Sequence, residues 1–131
     1  MMNSSSPSAE TEYVSYTDFS SETVPTVRYR IARMSFARRL CLVRKVRELA
    51  QRIEFLEAGS EPRDQIEASM LGAEINGMYL EWGLHSLEGL KIDGESATPD
   101  LLIAKGPEML TSEIVGRIRA ECHLSEDERK N

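Results

Sequence analysis

Apolar residues recur through the middle of the chain at the period of an α-helix. Leu42, Val46, Leu49, Ile53 and Leu56 follow a 4-3-4-3 spacing that puts all five on one seam. Ile66, Met70, Ala73, Gly77, Leu80 and Leu84 repeat it further on. Gly59-Ser60-Glu61-Pro62 lies between the runs, a helix-stopping Gly followed by a helix-starting Pro. The pattern predicts one helix over 36–58, capped by Ser35, and a second over 62–83. A connection this short makes them antiparallel neighbours, and Ala73 and Gly77 on the second seam let the backbones approach closely.

The period changes on either side of this hairpin. Val27, Tyr29 and Ile31 alternate with Arg28, Arg30 and Ala32, the pattern of a half-buried strand, and Pro25 just before argues for an edge position. A short strand within Tyr13 to Phe19 is a weaker reading, because Tyr13 and Tyr16 cannot share a strand face. After the hairpin, Asp93-Gly94 between Leu90-Lys91-Ile92 and Glu95-Ser96 is a two-residue turn signal joining very short strands. Thr98-Pro99-Asp100 opens a helix that stops at Gly106-Pro107. A last helix follows, with Leu110, Ile114, Ile118 and Cys122 in one stripe, Val115 beside it and Leu124 at the end of the core; Ser125-Glu126-Asp127-Glu128 reads as a capping box. The fold class is therefore mainly α with a small β element: an antiparallel helical hairpin, a short β-hairpin and two C-terminal helices. The Ser-rich residues 1–12 carry too little apolar surface to order themselves. Residues 13–124 form a single domain and 125–131 a charged tail.

Charge alters this picture. The 131 residues carry a net charge of −6, with an isoelectric point near 5.0, which argues against general nucleic-acid binding. Yet Arg28 to Arg52 holds nine Lys or Arg and one acid, Glu48, a local balance of +8 that leaves −14 for the remainder. Arg38, Lys45 and Arg52 recur every seven residues beside the first seam, with Arg39, Arg44 and Arg47 broadening the stripe. Glu67, Glu74 and Glu81 recur at the same period on the second helix. Heptad positions assigned from the two seams put these rows on flanks that do not meet in an antiparallel hairpin, so the basic stripe is expected to stay free for solvent, the acidic C-terminal third or another molecule.

Candidate chemistry is sparse. His85 and His123 have no companions at metal-ligand spacing, and no metal or cofactor is expected. Cys41 and Cys122 form no disulfide pattern; Cys122 lies on an apolar stripe, and the arginines near Cys41 would favour its thiolate. Gly72, Gly77 and Gly83 are scattered through a helix and form no phosphate loop, and the carboxylates show no acid/base pairing. An enzyme is not expected. The basic helix over 36–58 keeps a nucleic-acid-associated regulator as the alternative, although Phe36 and Phe55 read as core residues rather than stacking platforms.

From Tyr79 the order YLEWGLHSLEGLKIDGESATPDLLIAKGPEML, a last helix and a SEDERKN terminus resembles the tail assembly chaperones of long-tailed bacteriophages and prophages. The matching positions are Trp82, Gly94, Thr98, Pro99, Lys130 and Asn131. The resemblance covers roughly the 50 residues of the C-terminal part and does not include the basic helix. It implies a non-enzymatic protein in the cytoplasm of a bacterial host cell, keeping a long tape measure protein soluble during tail assembly, with the tail tube protein as a second partner and no membrane association. Arg38, Lys45 and Arg52 are then the expected partner contacts, with Trp82 as an apolar anchor; the plainer reading of Trp82 is packing at the junction of the second helix and the following hairpin. Oligomeric state is open, because either seam can serve a second copy.

Overall fold

The computed structural model describes residues 9–130, and side chains through Cys122. The elements in order are β1 (Tyr16–Ser20), β2 (Arg28–Ala32), α1 (Phe36–Glu57), α2 (Pro62–Gly83), β3 (Leu84–Glu88), β4 (Lys91–Ile92), β5 (Glu95–Ser96), α3 (Pro99–Lys105) and α4 (Glu108–Lys130). This is the expected mainly α arrangement with a small β element. Residues 9–12 are exposed and lack regular structure, while the rest of the anticipated N-terminal tail lies outside the described residues. α4 runs through Ser125 without a break, so the sequence-level capping box there starts no new helix. The position of the Leu124 side chain falls outside the described residues.

Local chemistry sets most boundaries. Ser35 caps α1 by accepting a hydrogen bond from the Arg38 amide at 3.2 Å, and Thr98 caps α3 by accepting from the Leu101 amide at 3.1 Å. Pro62 and Pro99 occupy first-turn positions where no amide donor is needed. Asp93 and Gly94, with φ of 51° and 83°, form the turn between β4 and β5, the double positive φ that a two-residue hairpin of this twist requires.

The three longer strands make an antiparallel sheet in the order β1-β2-β3. β2 is therefore central and not the edge strand that Pro25 suggested. That proline sits in the connection before β2 and removes no ladder hydrogen bond. β3 leaves α2 with no intervening loop. Leu87 stands opposite Tyr29 and Leu84 opposite Ile31, so a shift of one residue in β3 brings two leucines that are three apart onto one sheet face. Val27, Tyr29 and Ile31, all at most 1% exposed, join Tyr79, Leu80, Leu84, Leu102, Leu110, Ile114, Ile118 and Cys122 in one core cluster.

α1 packs against α2 and has only slight contact with any other element. Leu42 is its one fully buried residue; Val46, Leu49, Ile53 and Leu56 are half-buried. The hairpin is thus an arm whose far half rests on its own two helices. Of the expected seam Leu80 and Leu84 are buried, but over the rest of its length α2 turns a different face inward. Ala68, Leu71, Ile75 and Tyr79 are buried with Met78 and Trp82 half-buried, whereas Ile66 and Met70 are 62% and 67% exposed and Ala73 is open. The inner stripe lies roughly half a turn from the Ile66–Gly77 stripe at 3.6 residues per turn. α2 has two apolar stripes, and periodicity alone could not rank them. Phe36 and Phe55, read from sequence as core, are 63% and 81% exposed.

Gly89 anchors the end of β3. Its φ is +87°, and a Cβ there would run into the Thr26 carbonyl, while its own carbonyl accepts from Thr26 Oγ1 at 3.0 Å. Gly94 has a similar φ but open space around it. Chemical denaturation should therefore show Gly89→Ala destabilised by about 3 kcal/mol, through backbone strain plus collision, and Gly94→Ala by only about 1 kcal/mol, through strain alone.

Candidate functional site

The residues singled out in the sequence all lie on the arm. Half a turn of rotation in α2 exchanges its flanks, and this brings the acidic row to the side of the hairpin that carries the basic row. Arg52 Nη2 meets Glu67 Oε1 at 3.8 Å. That pairing, continued in antiparallel register, sets Lys45 across from Glu74 and Arg38 across from Glu81. The expectation that the two rows remain apart is therefore corrected. Both side chains of the Arg52–Glu67 pair are more than half exposed, so it adds at most about 0.5 kcal/mol.

Arg38 makes a different contact. Its guanidinium lies 4.4 Å from the centre of the Trp82 ring and donates through Nη2 to the Trp82 carbonyl at 3.3 Å. Trp82 is half-buried against the core and closes the base of the hairpin. Two proposed contact residues are thus engaged with each other. Among the described residues Arg39, Arg44, Lys45 and Arg47 form no ion pair, so unpaired positive charge runs through the first half of α1.

Near the tip the same side opens into a groove of about 360 Å³ lined by Glu48, Gln51, Arg52, Phe55, Leu56 and Glu67. Phe55 stands at its margin. A large apolar side chain so exposed, beside half-buried Leu56 in a groove rimmed by Glu48, Arg52 and Glu67, is an arrangement by which a protein surface can receive an amphipathic segment. Phe55 reads from the sequence as a core residue, although at 3.6 residues per turn it lies well over a quarter turn from the seam, in keeping with its 81% exposure.

One carboxylate is strongly perturbed, and it lies away from the arm. Glu113 on α4 accepts hydrogen bonds from Tyr29 Oη at 2.7 Å, Thr23 Oγ1 at 2.8 Å, Ser21 Oγ at 2.9 Å and the amides of Thr23 and Glu22 at 3.1 and 3.3 Å. Burial alone would raise its pKa, but the bonds from Tyr29, Thr23 and Ser21 outweigh that and hold it at about 2. Burial, and next its bond to Glu113, pushes Tyr29 up to about 12. A carboxylate this acidic and this saturated with donors is a poor proton acceptor at neutral pH. It ties the loop between β1 and β2 to α4.

The other candidates stay dispersed. His85 is exposed on β3, with its ring 5.4 Å from that of Tyr16. His123 lies beyond the described side chains. Cys41 is exposed and Cys122 buried, and no group of His, Cys, Asp or Glu among the described residues could hold a metal. No helix among them is long and apolar enough to cross a membrane. Gly94, Thr98 and Pro99, three positions of the phage-chaperone resemblance, serve as turn, cap and first helical residue. No protein-family model, no curated protein and no solved structure matches this chain.

The Glu113 cluster generates a pH dependence. The folded pKa of about 2 lies below the ordinary 4.5, so the contribution is complete above about pH 4.5 and is lost as pH falls towards 2. Glu113→Gln should cost about 2 kcal/mol at neutral pH, because a charged acceptor for several donors is lost. In denaturant titrations the gap between variant and parent should close steadily from pH 4.5 downwards. At the arm, Arg38→Ala should lower stability by about 1 kcal/mol by thermal unfolding and change the fluorescence of Trp82, the single tryptophan.

Proposed function

We propose that the chain is a non-enzymatic helix-binding module, a tail assembly chaperone of the phage type, whose hairpin arm holds an amphipathic helix of a tape measure protein. The observation that carries this reading is the tip groove with Phe55 81% exposed at its margin, on an arm that has little else to pack against. An amphipathic helix laid along this side buries its apolar stripe on Phe55 and Leu56 and directs acidic residues to Arg44 and Lys45. Charge then governs encounter rate and orientation, while the apolar contact supplies most of the affinity. Arg52 is held only weakly by Glu67 and can turn to an incoming carboxylate. Arg38 and Trp82 act on this surface indirectly, by fixing the base of the arm. The tail tube protein remains the second expected partner, and the bacterial cytoplasm the expected compartment.

The unpaired cations of α1 also favour a second reading, a regulator that follows nucleic-acid phosphates. One experiment separates the two. The full chain is titrated by calorimetry with a tape measure protein of a long-tailed phage, and in parallel with duplex DNA over a range of salt. Phe55→Glu should weaken tape-measure binding at least tenfold, and an Arg44/Lys45/Arg47 triple alanine variant should slow association, both with unchanged helical circular dichroism. No tape-measure binding, together with DNA retention that vanishes in the triple variant, would replace the chaperone reading with the regulator.

A further inference from the structure

The loop between β1 and β2 carries a binding chemistry that the arm does not use. Five donors from residues 21–29 converge on the Glu113 carboxylate. Its Oε1 accepts from Ser21 Oγ at 2.9 Å, Thr23 Oγ1 at 2.8 Å and the Thr23 amide at 3.1 Å, and its Oε2 from Tyr29 Oη at 2.7 Å and the Glu22 amide at 3.3 Å. We propose that this loop, with Tyr29, is a ready-formed receptor for a carboxylate, that Glu113 is its tethered ligand, and that a free monocarboxylate takes its place when the side chain is removed.

The loop holds its own shape. The Ser21 amide donates to the Val27 carbonyl and the Val27 amide to the Val24 carbonyl, both at 2.9 Å, so the chain closes on itself without α4. The Val24 amide donates to Ser21 Oγ at 2.9 Å. That hydroxyl is thereby an acceptor within the loop, and its one proton is left to point at Glu113. Pro25 fixes φ in the same turn. Val27 and Tyr29, 0% and 1% exposed, and buried Ser21 seat the loop on the core. None of these loop bonds involves Glu113, so the donors stay aimed at one point whether or not it is present.

The donor set also selects its ligand. An ionised carboxylate offers two oxygens with about four lone-pair sites and no proton, and here donors meet both oxygens. A neutral amide of the same shape would turn an NH2 group against donors at one of the two positions. Glu22, whose own charge opposes an anion, is paired at 3.2 Å with Arg117, one turn beyond Glu113 on α4. Arg117 also covers the Phe19 ring at 4.8 Å, which keeps the cation beside the site. Replacing Glu113 with Ala deletes one methylene and the carboxyl group, the heavy atoms of acetate. Leu110, Ile114 and Ile118, at most 1% exposed on the same helix, hold α4 around the vacated space.

Thermal unfolding of the full chain carrying Glu113→Ala, at neutral pH in sodium acetate and in sodium chloride of equal ionic strength, tests the proposal. In chloride the variant should melt below the parent. Acetate should recover at least half of that loss, saturably, as mass action on one site requires, while the parent, whose receptor is filled, responds to the two salts alike. Acetamide should recover nothing. Thr23→Val in the same background removes one exposed hydroxyl donor and should raise the acetate midpoint about tenfold. An acetate response no larger than the parent's would overturn the proposal, as would equal recovery by acetamide or a midpoint unmoved by Thr23→Val. A variant unfolded in both salts would also overturn it, since a loop that needs Glu113 to form is no receptor; folding in acetate but not in chloride would support it. These readouts involve neither Phe55 nor the cations of α1, so they stand or fall apart from the helix-binding reading.

Discussion

The structure depends on α2 serving two neighbours at once. Among the described residues, its inner stripe of Ala68, Leu71, Ile75, Met78 and Trp82 is the main support that α1 has. Its C-terminal end, through Tyr79, Leu80 and Gly83, enters the core shared by the sheet, α3 and α4. Close approach matters at that end, since a Cβ on Gly83 would fall within 3 Å of the Ile118 side chain. With α2 fixed in the core, β3 follows from it directly and completes the sheet. The arm is then carried outward from a rigid base.

Charge has a different role on this scaffold. The basic row of Arg38, Lys45 and Arg52 and the acidic row lie on the same side of the hairpin, yet among the described residues the one ion pair between them is long and solvent-exposed. Such pairs are screened and contribute little to stability. The hairpin is held by apolar packing and by the Arg38–Trp82 contact, and its charge rows remain available to set the orientation of whatever approaches. The pair across from Arg52 nevertheless lowers the net field of the arm towards its tip. Among the described residues Arg44, Lys45 and Arg47 at mid-helix have no ion pair and keep their charge for an approaching molecule.

The elements were largely legible in the sequence because their signals are local. Caps at Ser35 and Thr98, prolines at helix starts and the Asp93-Gly94 turn each act within a few residues, and α4 showed its buried stripe without ambiguity. What could not be read was which of two apolar stripes on α2 faces inward. That choice depends on the partner surface, and the error carried over to the charge rows, because rotating a helix exchanges its flanks. β3 was hidden because its shifted register spaces Leu84 and Leu87 by three and defeats the alternation that marks a strand. The Glu113 cluster joins residues about ninety positions apart, as Ser21 and Glu113 show, and no spacing rule anticipates such a contact. Of the four proposed contact residues, Lys45 keeps a free charge, Arg52 a weakly shared one, and Arg38 and Trp82 hold each other.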